Sequence, residues 1–204
     1  MATWDNWMPE LQLAAPTAPV PLIHLCLNRA ARDFCKYTRA WQVWLDPVQV
    51  TGDTALEYGL ELPMGAEVVR LEAATLDGQP LHVAMAMDAE GDPVGMARLR
   101  GLVCMDLQNF FIPSGQAGTV RVKCSLMPTI SASTVPDLVA SHNFEALRDG
   151  ALSELLAKDG TDFFKPEMAS VKLVQFNQAK DAAKAAVWRN HGTRGGGERK
   201  VRWC

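Results

Sequence analysis

The stretch VVRLEAATLDGQPLHV, residues 68–83, places two strand-forming runs on either side of Asp77-Gly78. That pair tolerates the positive φ angles of a tight two-residue turn, so the stretch reads as a β-hairpin. Outward from it, Pro47, Pro63, Pro80, Pro93, Pro113 and Pro128 alternate with Gly52, Gly65, Gly91, Gly101 and Gly115. Between these breaks lie short β-prone runs, the signature of an antiparallel region. The clearest single strand is Thr119–Met127, in which Val120, Val122, Cys124 and Leu126 share one side while Arg121, Lys123 and Ser125 share the other. About six or seven strands fit, so residues 43–135 are expected to form an inserted antiparallel β domain, a small sandwich or barrel.

The flanks have a different period. Upstream, a helix is expected to start near Pro21, with Ile23, Leu27, Ala30, Phe34, Tyr37 and Trp41 on one stripe. Downstream of Pro136, Leu147, Ala151, Leu152, Leu155 and Leu156 give one helical face, stopped at Asp159-Gly160. Another start follows at Lys165-Pro166-Glu167, with Ala169, Leu173, Phe176, Ala179, Ala183 and Ala186 or Val187 as its stripe. The fold class expected is therefore α+β. One N-terminal helix and two C-terminal helices (residues 21–42 and 136–190) form a helical bundle, with the β domain inserted and extended arms at both termini.

Both arms carry aromatic residues. Residues 1–20 contain Pro9, Pro16 and Pro19, which argue against a continuous helix, together with Trp4 and Trp7. This arm is expected to be extended and to pack either on its own chain or on a neighbouring subunit, through Trp4 and Trp7. Residues 191–204 hold a glycine hinge, Gly195–Gly197, and end on Lys200, Val201, Arg202, Trp203 and Cys204. With five Lys/Arg against one acid, residues 189–204 carry +4, so residues 1–188 carry −7, the difference from the net −3. The end reads as a docking tail, with Arg194, Arg199, Lys200, Val201, Arg202 and Trp203 as candidate partner contacts.

The 204 residues are 48% apolar and 21% charged, which excludes collagen-like and strongly disordered classes. No apolar run approaches the ~20 residues of a spanning helix, and the opening MATWDNWMPE does not read as a secretory signal. Five cysteines (26, 35, 104, 124 and 204) at irregular spacing suggest free, largely buried thiols in a reducing compartment. No phosphate loop, nucleophile elbow or metal-ligand spacing is present, and no carboxylate pair stands out among the 23 acids. No catalytic, cofactor or metal role is assigned to any residue, and Cys26 and Cys35 read as helix packing.

In its order of segments the chain resembles the head-to-tail adaptor proteins (neck, head-completion or tail-accessory proteins) of tailed bacteriophages. The resemblance rests on LNRAARDFCKYTRAWQ (27–42), GLELPMGAEVVRLEAATLDGQPL (59–81), SLMPTISASTVPDLVASHNFEALRDGALSELLAKDG (125–160) and KPEMASVKLVQFNQAKDAAKAA (165–186). The tryptophan-bearing arm and the triple glycine depart from that pattern. The resemblance implies a structural virion protein and no enzyme. It would form a homo-oligomeric ring, usually of twelve copies, beneath the portal protein, extending the DNA channel toward tail or nozzle proteins. Contact with genomic DNA would be passive, the C-terminal extension would dock on the portal, and no membrane or cofactor would be involved. The location would be the virion neck, with assembly in the host cytoplasm. An alternative reading is a nucleic-acid-binding accessory protein that uses the basic C-terminal tail.

Overall fold

The computed structural model describes residues 1–54, 56–85, 101–104, 106–112 and 115–192. It is mixed α+β, with four α-helices and a curled β-sheet among the described residues. The chain divides into a helical unit, residues 1–40 and 133–204, and a β unit, residues 41–132.

In the helical unit, β1 (Ala2–Thr3) pairs with β10 (Thr134–Val135), and a single 3-10 turn spans Trp4–Trp7. Helices α1 (Met8–Ala14), α2 (Val20–Thr38), α3 (Asp137–Leu155) and α4 (Pro166–Gly192) follow in chain order. The last three pack on one another. Prolines mark the starts, as their fixed φ and missing N–H suit the first turn: Pro9 in α1, Pro21 in α2 and Pro166 in α4.

Helix α2 buries Ile23, Leu27, Ala30 and Phe34, each large aliphatic or aromatic chain among them worth about 1.5–3 kcal/mol of transfer energy. It ends earlier than its apolar period suggests. Arg39 turns left-handed (φ 56°, ψ 35°), and its N–H bonds the Cys35 carbonyl at 2.9 Å. Tyr37, still within α2, is 40% exposed, and Trp41 lies beyond the helix, buried, as the first residue of the β unit. The expected stripe thus holds through Phe34 and fails at its last two members: Tyr37 turns its hydroxyl to Asp181 of α4, and Trp41 falls past the cap.

Gly150 on α3 sets how closely these helices meet. A Cβ there would stand 2.9 Å from the Ala30 Cβ of α2 and 2.9 Å from the Phe176 ring of α4. Phe34 and Phe176 face each other across this point with centroids 6.4 Å apart. Beside it lies a charged cluster: Asp149, almost fully buried, accepts from Arg148 Nε at 3.0 Å and from Lys172 Nζ at 3.1 Å. Arg148 also donates to Glu10 at 2.7 Å, tying α1 to α3. That hydrogen bond to Glu10, with the Asp149 carboxylate behind it, raises the guanidinium above its ordinary range.

Residues 1–20 are not an extended arm. Trp4 and Trp7 are buried within their own helical unit, and Leu11 of α1 with them. The Trp7 ring stacks on Phe144 at 4.9 Å and its indole N–H donates to the Phe144 carbonyl at 3.0 Å. What receives it is a kink in α3, where Asn143 leaves helical geometry (φ −131°, ψ 26°) and its amide bonds the Val139 carbonyl at 3.1 Å. A side chain that competes for the helix ladder is a recognised cause of bending. Prolines in this segment limit helix length without preventing helix: Pro9 begins one, and Pro16 and Pro19 fall in the break before the next.

The β unit contains one eight-stranded sheet in the order β2-β9-β5-β6-β7-β8-β4, with β3 also on β9. The strands are β2 (Gln42–Trp44), β3 (Val48–Thr51), β4 (Tyr58–Gly59), β5 (Ala66–Leu76), β6 (Gln79–Met85), β7 (Gly101–Cys104), β8 (Asn109–Phe111) and β9 (Ala117–Pro128). The hairpin β5–β6 turns on Asp77 (φ 48°) and Gly78 (φ 80°), the left-handed pair expected of Asp-Gly. Strand β9 is the spine, pairing with β2, β3 and β5. It buries Val120, Val122, Cys124 and Leu126, as its alternation requires.

One pairing departs from the antiparallel expectation. Strands β6 and β7 run parallel, His82 opposite Gly101 through Met85 opposite Cys104. A parallel return needs a long connection, and residues 86–100 between the two strands supply it. Within β5, register shifts between Val68 and Arg70 and between Leu71 and Ala73 interrupt the ladder. Bulges of this kind bend a strand, consistent with the curl of the sheet.

Four cysteines, 26, 35, 104 and 124, are free and buried. Burial pushes the Cys26 thiol up to about 11 and those of Cys35 and Cys124 to about 12. Cys204 lies outside the described residues.

Candidate assembly surface

Helix α4 is the longest element, 27 residues, and it uses little of its own apolar surface for the fold. Ala169 and Phe176 are its buried members. Toward the C-terminus, polar contacts with α2 replace packing. Tyr37 donates to Asp181 at 2.6 Å, and Lys180 bonds Asp33 at 2.7 Å. Lys184 stands 4.1 Å above the Tyr37 ring, and Arg39 lies 5.5 Å above Trp188. The hydrogen bond to Asp181, followed by that carboxylate's charge, holds the Tyr37 phenol above its ordinary range.

The opposite side of α4 is left uncharged and open. At about 100° per residue, Val171, Val174 and Gln178 point away from Ala169 and Phe176. Ala182 and Ala185 continue that line. Val171 is 50% exposed and Val174 56%, with Met168 at 49% and Phe164 at 40% beside them. From residue 171 to 185 this is a strip about 20 Å long without a charged member on its axis. Leu173, expected in the buried stripe, is also half-exposed, and Ala186 is exposed. A large aromatic, Phe176, holds the contact with α2 and α3 and leaves the residues around it outside.

Along one edge the strip opens into a cleft of about 520 Å³, between Ser141–Ala146 at the α3 kink and Ala179, Ala182 and Ala183 of α4. Of its polar lining, Ser141 Oγ and His142 Nδ1 lie 3.3 and 3.0 Å from the Leu138 carbonyl, and Glu145 adds an exposed carboxylate. Among the described residues no group of three His, Cys, Asp or Glu could hold a metal ion, and no helix is long and apolar enough to cross a membrane.

The sequence-derived candidates fall elsewhere. Trp4 and Trp7 sit inside the helical unit, so their surfaces are spent on their own chain. Arg194, Arg199, Lys200, Val201, Arg202 and Trp203 lie outside the described residues. The strip on α4 was missed because a stripe on one side of a helix draws attention from apolar residues on the other. The available signal was that Val171 and Val174 do not share the face of Ala169 and Phe176.

No family model matches the chain, and no curated protein matches it.

Proposed function

We propose that the protein is an assembly subunit, a neck adaptor of the phage head-to-tail type, built to form a ring on the portal protein and to join head to tail. The observation that carries this reading is the uncharged, half-exposed side of α4, where Val171 and Val174 are 50% and 56% exposed. Large apolar side chains clustered on an open helical face are the usual mark of a contact surface. A repeated head-to-tail contact of this kind closes into a ring when its rotation permits.

In this reading the helical unit is the bundle that meets neighbouring copies, twelve in a portal-matched ring. The inserted β domain, with its curled sheet, faces tail or nozzle proteins. The basic, aromatic-tipped tail docks on the portal through Arg194, Arg199, Lys200, Val201, Arg202 and Trp203. The net −7 of residues 1–188 suits a channel through which DNA must slide, since like charge discourages phosphate from sticking. The protein then belongs to the virion neck, and it performs no catalysis.

Electron microscopy of the purified protein mixed with portal rings tests this directly. A ring seated on the portal is expected, absent when residues 191–204 are removed and weakened by Val171→Glu with Val174→Glu. A protein that stays monomeric and never associates with portal or virions would refute it.

A further inference from the structure

A second surface lies on the β unit. In β9, Val120, Val122, Cys124 and Leu126 face the core, which turns Thr119, Arg121, Lys123 and Ser125 to the other side of the sheet. The register carries neighbours onto that side: Trp44 opposite Lys123, Thr75 opposite Arg121, Gln49 opposite Thr119 and Arg70 opposite Ser125. Trp44 is 39% exposed, and the Arg121 guanidinium lies over its ring at 5.6 Å.

The charges on this face are unevenly satisfied. Two acids beside it are held by neutral donors and keep their charge: Asp77 accepts the Thr119 N–H at 2.8 Å, and Glu72 accepts the Ser125 hydroxyl at 2.5 Å. Arg70, Arg121 and Lys123 make no ion pair among the described residues. Residues two apart on a strand stand about 6.7 Å apart, so Arg121, Lys123 and the pair Arg70–Ser125 form a line of cations. That interval is close to the phosphate repeat of an extended single strand. A cleft of about 490 Å³, bounded by Trp44, Thr75, Asp77, Gly78, Thr119 and Arg121, opens at one end of the line.

We propose that this sheet face binds single-stranded nucleic acid. Lys123 and Arg70 track the phosphates, and a base enters the cleft to stack beside Trp44 and the Arg121 guanidinium that lies over its ring. A basic track beside an aromatic platform is how sequence-tolerant single-strand binders work. Gln49, Thr75 and Thr119 add neutral donors and acceptors without fixing a sequence. This inference is independent of ring assembly and of the C-terminal tail.

The test is fluorescence anisotropy of a labelled oligothymidylate with the full-length chain, between about 50 and 200 mM salt. Binding is expected to weaken as salt rises. Arg121→Ala with Lys123→Ala should weaken it at least tenfold, and Trp44→Ala at least fivefold. Trp44→Phe should restore most of the loss, which separates stacking from a folding defect read by circular dichroism. The chain lacking residues 193–204 should bind as the full chain does. Binding indifferent to the sheet variants, or abolished by removing the tail, would overturn the proposal. So would equal or tighter binding of heparin, which marks the face as one for sulfated polysaccharide.

Discussion

The N-terminal segment and helix α4 treat their apolar residues in opposite ways. Residues 1–20, broken by prolines, bury Trp4 and Trp7 almost completely. Helix α4, long and regular, leaves Val171 and Val174 50% and 56% exposed. Regularity and burial are thus separate properties. A short irregular segment can be core when a neighbour offers a fitted receptor, here the Asn143 kink and the Phe144 ring. A helix that buries one aromatic and one alanine, and otherwise meets its neighbours through polar contacts, can run along the surface for most of its length. The first segment is bound to the fold, and the second is available to something else.

Truncation of Trp7 tests that difference most severely. Trp7→Ala removes the stack on Phe144 and an indole hydrogen bond, and should cost about 4 kcal/mol in denaturant unfolding of the helical unit. A loss below about 1 kcal/mol would make the N-terminal segment an accessory after all. Gly150→Leu should cost about 3 kcal/mol, since its side chain must displace Ala30 or Phe176 at the crossing of α2, α3 and α4. If it proves neutral, α4 is held by its polar contacts with α2 rather than by Phe176.

The buried thiols give a smaller, pH-dependent effect. In the folded chain Cys35 ionises only near 12, against 9.0 for an ordinary thiol, so the folded state holds its proton longer than the unfolded state. The stability linked to it is complete below pH 9 and is lost as pH rises toward 12, amounting to about 1 kcal/mol by pH 10. Cys35→Ala should flatten that part of the decline in unfolding midpoints, and an unchanged slope would contradict it. The smallest effect belongs to α4: Val171→Ser with Val174→Ser should leave monomer stability within about 0.5 kcal/mol. A larger loss would show these residues to be core, erasing the contrast with Trp7.

Local chemistry made part of this legible in advance. Between two strand-forming runs Asp77-Gly78 specifies a left-handed turn, and Pro166 with Glu167 suits a helix start. The alternation from Val120 to Leu126 allows one buried side. Residues 1–20 were misread because proline density is a statement about helix length, and burial of Trp4 and Trp7 depends on a kink more than a hundred residues away. The parallel pairing of β6 and β7 was equally hidden, since strand patterns carry no direction. The α4 strip was visible only as a second set of apolar residues, and the cationic line beside Trp44 needed the register of β2, β5 and β9.

The sequence by itself determined the α+β class, the hairpin, the orientation of β9, the starts of α2, α3 and α4 and the buried state of four cysteines. Each depends on interactions within a few residues or on hydrophobicity alone. The tertiary structure decided where α2 ends, which side of α4 is covered, what receives Trp7 and which cations stand in line beside Trp44. Those are choices of partner between segments far apart in the chain, and they follow from packing, which no local pattern encodes.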